Sequence, residues 1–114
     1  MNLFEHYKKH IDVLAESMEL IDPIKAYEFV DLLLNCKGKI FFTGVGKNGH
    51  VAAKATSTFS SIGVSCFFID PVDSVHGDMG VINEEDILIA VSKSGNTEEL
   101  IHFLKHVEHK NCKI

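Results

Sequence analysis

The sequence predicts an α/β domain built on a parallel sheet, and two observations carry that prediction. Three short apolar runs, "KIFFTG", "SCFFID" and "DILIAVS", lack the alternation of half-exposed strands, which suits strands covered on both faces. Segments of helical length follow the first and third of them. The order is therefore strand, helix, strand, loop, strand, helix, and strands joined this way lie parallel with right-handed crossovers.

Two helices come first. Leu3, Tyr7, Ile11, Leu14 and Met18 recur every three to four residues, so an amphipathic helix is expected from about Leu3 to Met18. The stretch "IDPIKAYEFVDLLLNCKGK" predicts a second, with Asp22 as N-cap, Pro23 in the first helical position and Gly38 as its stop. After the first strand, "HVAAKATSTFSSIG" reads as a helix ended by Gly63. After the third, "NTEELIHFLKHVEHK" places Leu100, Phe103, Leu104 and Val107 on one apolar face. The closing "CKI" reads as the opening of a fourth strand, so the fold is expected to break off after its third full strand.

Composition narrows the function. A chain of 114 residues buries one modest core and forms one domain at most. The net charge of −5 is spread along the chain with no basic stripe, which argues against a nucleic-acid or membrane-surface partner. Charges interrupt the apolar residues of the N-terminus, so it is no secretory leader, and no run is long enough to span a bilayer. Cys36, Cys66 and Cys112 are widely spaced without a C-x-x-C. They read as buried or half-buried thiols in a reducing cytoplasm, and no metal site is expected.

Three loops carry the chemistry. In "FFTGVGKNGH", Gly44, Gly46 and Gly49 satisfy the G-x-G-x-x-G spacing of a dinucleotide turn, and Asp70 stands about 20 residues on, where a ribose-binding acid belongs. The same glycines can cradle the phosphate of a smaller ligand. A Walker loop is excluded, because Lys47 lacks the required glycine before it and is followed by Asn48. In "VSKSGNTEEL", Ser92, Ser94 and Thr97 set three hydroxyls around Gly95 at a helix start, where backbone N–H groups and the dipole favour an anion. Thr97 or Asn96 can serve as an ordinary cap, but capping leaves the two serines unexplained. Two such loops at the carboxyl ends of adjacent strands suit one small phosphorylated ligand, with Lys47 supplying charge. The third loop, "DSVHGDMG", holds His76. His6, His10, His102, His106 and His109 fall on predicted helices and read as solvated, and His50 stays ambiguous.

Together, "GVGKNGHVAAKATSTFSSIG", "FFIDPVDSVHGDMGVI" and "DILIAVSKSGNTEEL" resemble the sugar isomerase (SIS) domain over about Gly38 to Leu104. They are most similar to its arabinose 5-phosphate isomerase branch, with the pattern G-x-G-K-[ST]-G-H, then A-x-H-G-D-x-G, then [SN]-x-S-G-x-[ST]-x-E. The resemblance implies a three-layer αβα sandwich with a doubly wound, flavodoxin-like parallel sheet. Residues 1–37 would be its N-terminal helical segment, and 38–114 the N-terminal part of the sugar-phosphate-binding domain. It implies a cytoplasmic enzyme without cofactor, a homo-oligomer (tetrameric in the family), interconverting ribulose 5-phosphate and arabinose 5-phosphate. That reaction leads toward the octulosonic acid of lipopolysaccharide.

Carried over by position, Ser92, Ser94 and Thr97 match phosphate binders, with Gly46, Gly95 and Asn96 completing the substrate-binding set. Lys47, His76 and Glu99 match active-site positions, Glu99 being a base if burial raises its pKa from about 4.3 toward neutrality. Asn48 stands where the pattern has Ser or Thr. The family pattern continues with further strands, a second catalytic glutamate, an S-H-P-G-G histidine and often paired regulatory domains, so the 114-residue chain alone is expected to be inactive. Two other readings stay open. One is a non-catalytic sugar-phosphate sensor, as in SIS-bearing regulators, and the other is a dinucleotide-binding fragment.

Overall fold

The computed structural model describes residues 1–114, which divide into a helical unit, Met1–Leu34, and an α/β unit, Asn35–Ile114. In the first, α1 (Leu3–Ser17) opens with a capping box. The Asn2 side-chain oxygen accepts from the Glu5 N–H at 3.0 Å, and the Asn2 N–H donates to the Glu5 carboxylate at 2.9 Å. A 3-10 turn, Met18–Leu20, ends it. Helix α2 (Pro23–Leu34) starts as its sequence predicts: Asp22 accepts from the Ile24 N–H at 2.9 Å, and Pro23 takes the position where a missing N–H costs nothing. Neither helix buries a residue, and the apolar stripe of α1 is open to solvent, with Leu3 78% and Tyr7 68% exposed.

Helix α2 ends at Leu34, four residues before the glycine expected to stop it. Gly38 serves the sheet instead. A side chain there would collide with the Asp86 carboxylate and the Glu85 carbonyl.

The α/β unit is a three-stranded parallel sheet in the order β2–β1–β3, with β1 (Ile40–Gly44) between β2 (Cys66–Phe68) and β3 (Ile87–Val91). The β1/β3 register runs from Ile40 opposite Ile87 to Gly44 opposite Val91. Helix α3 (Lys47–Ser61) joins β1 to β2, and α4 (Glu98–Glu108) follows β3. Lys113 then forms a parallel bridge with Ile87, so the closing residues do begin a further pairing. The chain thus leaves β1 in one direction across the sheet and β3 in the other, and right-handed crossovers then put α3 and α4 on opposite faces. Packing agrees. Phe42 stacks on Phe59 of α3 at 5.6 Å between ring centroids, while Phe41 and Leu88 join Leu100, Phe103 and Val107 of α4 in the core. This is the doubly wound, three-layer arrangement.

Coverage on both faces fails for β2, where Phe67 and Phe68 are 48% and 39% exposed. It is an edge strand of three residues, and the main core centres one strand further in, on β1 and β3. An apolar groove of about 660 Å³, lined by Phe41, Phe67, Ile69 and Val81, is left beside it.

One buried charge ties down the end of the sheet away from the loops. The Asp86 side chain is 1% exposed. It accepts from the Lys39 and Asn83 N–H groups, both at 2.7 Å, and faces the Lys39 ammonium at 3.3 Å. Burial by itself would raise the carboxyl's pKa. The two backbone donors and the Lys39 charge outweigh it and hold the group below the usual carboxylate range. Burial pushes the Cys112 thiol up, and the Asp86 charge adds to that. The three cysteines are free, Cys66 buried and the others half-buried, as their spacing suggested.

Candidate functional site at the strand switch point

Strand order reverses between β1 and β3, and in open α/β sheets ligands bind outside the carboxyl ends of strands at such a point. Gly44 lies opposite Val91 in the register, so the loops leaving these strands start side by side. One is the glycine loop and the other the hydroxyl loop.

In the glycine loop the three glycines have different tasks. A Cβ on Gly44 would sit 2.7 Å from the Asn48 backbone, and one on Gly49 would sit 2.8 Å from the Gly44 carbonyl oxygen, so both allow α3 to lie tight against β1. Gly46 turns the chain with φ 62° and ψ −128°, a conformation that suits glycine. Helix α3 starts at Lys47, earlier than "HVAAKATSTFSSIG" suggests, which puts the exposed lysine in the first turn. Asp70, the acid required by a dinucleotide, is occupied locally. Its Oδ1 accepts from the Val72 and Asp73 N–H groups at 2.8 and 2.9 Å and shapes the turn after β2.

In the hydroxyl loop, Ser92 Oγ accepts from the Gly95 N–H at 2.9 Å and Ser94 Oγ from the Asn96 N–H at 3.1 Å. Each hydroxyl keeps its own proton for a further acceptor. Gly95 takes φ 67°, a left-handed turn. Thr97 is the N-cap residue of α4 by position, yet its side chain makes no capping bond. The first intrahelical bond runs from the Ile101 N–H to the Thr97 carbonyl at 2.9 Å, so the N–H groups of Glu98, Glu99 and Leu100 have no partner four residues back. Hydroxyl protons and these N–H groups at one helix start can hold an anion.

Helix α4 and the 3-10 turn Asp73–His76 enclose a groove of about 940 Å³ that brings His76, Asn96 and Glu99 together. Glu98, His102 and Lys105 line it too. Lys47, Gly46, Ser92, Ser94, Gly95 and Thr97 are not among its walls. Glu99 and His76 are both exposed, so the burial expected of Glu99 is not found. Two hydroxyls, Thr43 at the end of β1 and Ser74 in the groove's wall segment, are buried without a partner. Such atoms are uncommon in folded proteins, where most find a protein or water partner. No group of three or more His, Cys, Asp or Glu side chains is placed to hold a metal, and no helix is long and apolar enough to cross a membrane.

By sequence, His102 reads as one of the solvated helix histidines, and it is exposed; the structure adds that it lines the groove. A signal for this exists in the spacing, since His102 follows Glu99 by three residues and shares its helix face.

Fold and loops together define an α/β domain with a candidate anion site at a strand switch point, and the chain belongs to the SIS domain family, whose model matches residues 33–114. Within that family it is similar to arabinose 5-phosphate isomerases. KpsF of Escherichia coli is 40% identical over 89 residues, covering 78% of this chain and 28% of that protein. KdsD of Francisella tularensis is 35% identical over 115 residues, covering 99% of this chain and 35% of that protein. An Escherichia coli CFT073 protein solved in complex with arabinose 5-phosphate superposes with a TM-score of 0.80 at 32% identity, over 98% of this chain and 63% of that one. The chain thus spans about a third of the length of these curated relatives.

Proposed function

We propose that this chain carries the phosphate-binding part of an isomerase interconverting ribulose 5-phosphate and arabinose 5-phosphate. The observation that supports it most is the register. By pairing Gly44 with Val91, it sets the glycine loop and the hydroxyl loop side by side at the switch point. In this reading Ser92, Ser94 and Thr97 donate to the phosphate, Gly46, Gly95 and Asn96 shape the cradle, and Lys47 adds charge from the first loop. His76 and Glu99 handle protons: one removes the proton beside the carbonyl, and the other moves a proton between the two oxygens of the enediolate. The family resemblance adds a cytoplasmic setting and a place on the route to lipopolysaccharide.

Binding tests this directly. The Ser94→Ala/Thr97→Val double variant is expected to weaken arabinose 5-phosphate by about 2–4 kcal/mol, the worth of two charge-assisted bonds. Calorimetry showing equal affinity for wild type and variant would refute the phosphate assignment.

A sensor reading is favoured by one observation: Lys47 lies outside the groove that holds the exposed His76 and Glu99. A sensor keeps the hydroxyl loop and has no use for a base, so it binds the sugar phosphate without turning it over.

We also propose that the protein is a homo-oligomer. Phe4 at 82%, Tyr27 at 73% and Phe67 at 48% exposure leave large apolar side chains open on both units, the kind of surface that a partner copy covers. Sedimentation of the chain should show association that grows with concentration. A monomer with a sharp, concentration-independent melt would contradict it.

A further inference from the structure

The groove beside α4 holds a second imidazole that the isomerase reading leaves unused. His102 and His76 both line it, with Glu98 and Glu99 between the phosphate loop and His102 along the helix. Helical side chains lean toward the N-terminus, so a residue at this position covers the turn that carries the two glutamates. A neighbour holds the ring in place. His106 packs edge-on against it with ring centroids 4.6 Å apart, and His106 Nδ1 donates to the His102 carbonyl at 2.9 Å, which anchors the supporting ring to the helix. Distance fits as well. From Thr97 to His102 the helix axis rises about 7.5 Å, comparable to the reach of an extended five-carbon sugar from its phosphate to its far end.

We propose that His102 is a further ligand-contacting residue, hydrogen-bonding the hydroxyl-bearing end of a phosphorylated sugar whose phosphate sits at the start of α4, with His106 as its positioning residue. The proposal rests on the sugar-phosphate reading above and extends it to the other end of the ligand. Imidazole suits the task, since one ring nitrogen donates and the other accepts, matching a sugar hydroxyl that does both.

The test compares two probes, arabinose 5-phosphate and inorganic phosphate, binding to the 114-residue chain and its variants. His102→Ala should weaken arabinose 5-phosphate roughly three- to tenfold, one hydrogen bond's worth, and leave inorganic phosphate unchanged. His106→Gln should show the same selectivity with a smaller loss, because it removes only the support. Both positions are exposed, so native circular dichroism is expected for each variant. Unchanged affinity for both probes in His102→Ala overturns the proposal. Equal weakening of both overturns it too, since that places the effect at the phosphate. If Ser94→Ala/Thr97→Val binds arabinose 5-phosphate like the wild type, the underlying reading fails first and the proposal falls with it.

Discussion

Glu99→Gln is expected to lower turnover of ribulose 5-phosphate about 10²–10⁴-fold while leaving substrate affinity nearly unchanged, and His76→Ala to do the same. General acid–base groups act in the transition state, so their loss appears in kcat more than in KM. Both side chains line one groove, Glu99 from α4 and His76 from the turn after β2. Lys47→Ala should differ in kind. Its charge meets the ligand already in the ground state, so both kcat and KM should suffer. Wild-type turnover by the 114-residue chain itself is expected to be low, because the chain spans about a third of the length of isomerases such as KpsF and KdsD. The variants are therefore compared in the longest form of the protein that shows measurable turnover. Full activity in both Glu99→Gln and His76→Ala would remove the acid–base assignment and leave the sensor reading.

Asp86→Asn is expected to cost about 1–3 kcal/mol of stability, a large share of the roughly 5–15 kcal/mol that holds a typical domain together. The substitution removes the charge facing Lys39, and it turns an NH₂ group toward one of two backbone donors that need an acceptor. The residue also carries a pH signature. Its folded pKa lies below the unfolded value, so its contribution is present in full above the unfolded pKa and is lost as pH falls through the folded one. Wild-type stability should therefore drop on acidification through the carboxylate range, more steeply than that of the variant. Urea denaturation of both proteins at several pH values measures this. Parallel pH profiles, or a loss below about 1 kcal/mol, would show that the buried Asp86 carboxylate contributes no more than a surface one.

Much of this was legible in the residues because local chemistry and tertiary structure agree. The apolar runs around Phe41, Phe67 and Leu88 are the strands, Asp22 and Pro23 do start α2, and Leu100, Phe103 and Val107 do face the core. What escaped depended on distant partners. Gly38 reads as a helix stop because its true constraint, the Asp86 carboxylate, lies 48 positions along the chain. Strand β2 reads as covered because its composition matches β1, and composition does not say which strand lies at the edge. For the site, the loops could be placed at a helix start and a strand end, yet their adjacency is a property of the register. Periodicity puts His102 on the polar side of α4, and only the turn after β2 makes that side the wall of a groove.

The central claim is that the switch point between β1 and β3 holds a sugar phosphate by its phosphate, and a crystal structure of the chain with arabinose 5-phosphate tests it most directly. Phosphate oxygens are expected within hydrogen-bonding distance of the Ser94 and Thr97 hydroxyls and the first N–H groups of α4, with the sugar directed along the groove toward His76 and Glu99. A phosphate bound elsewhere, or a sugar lying away from that groove, would contradict it.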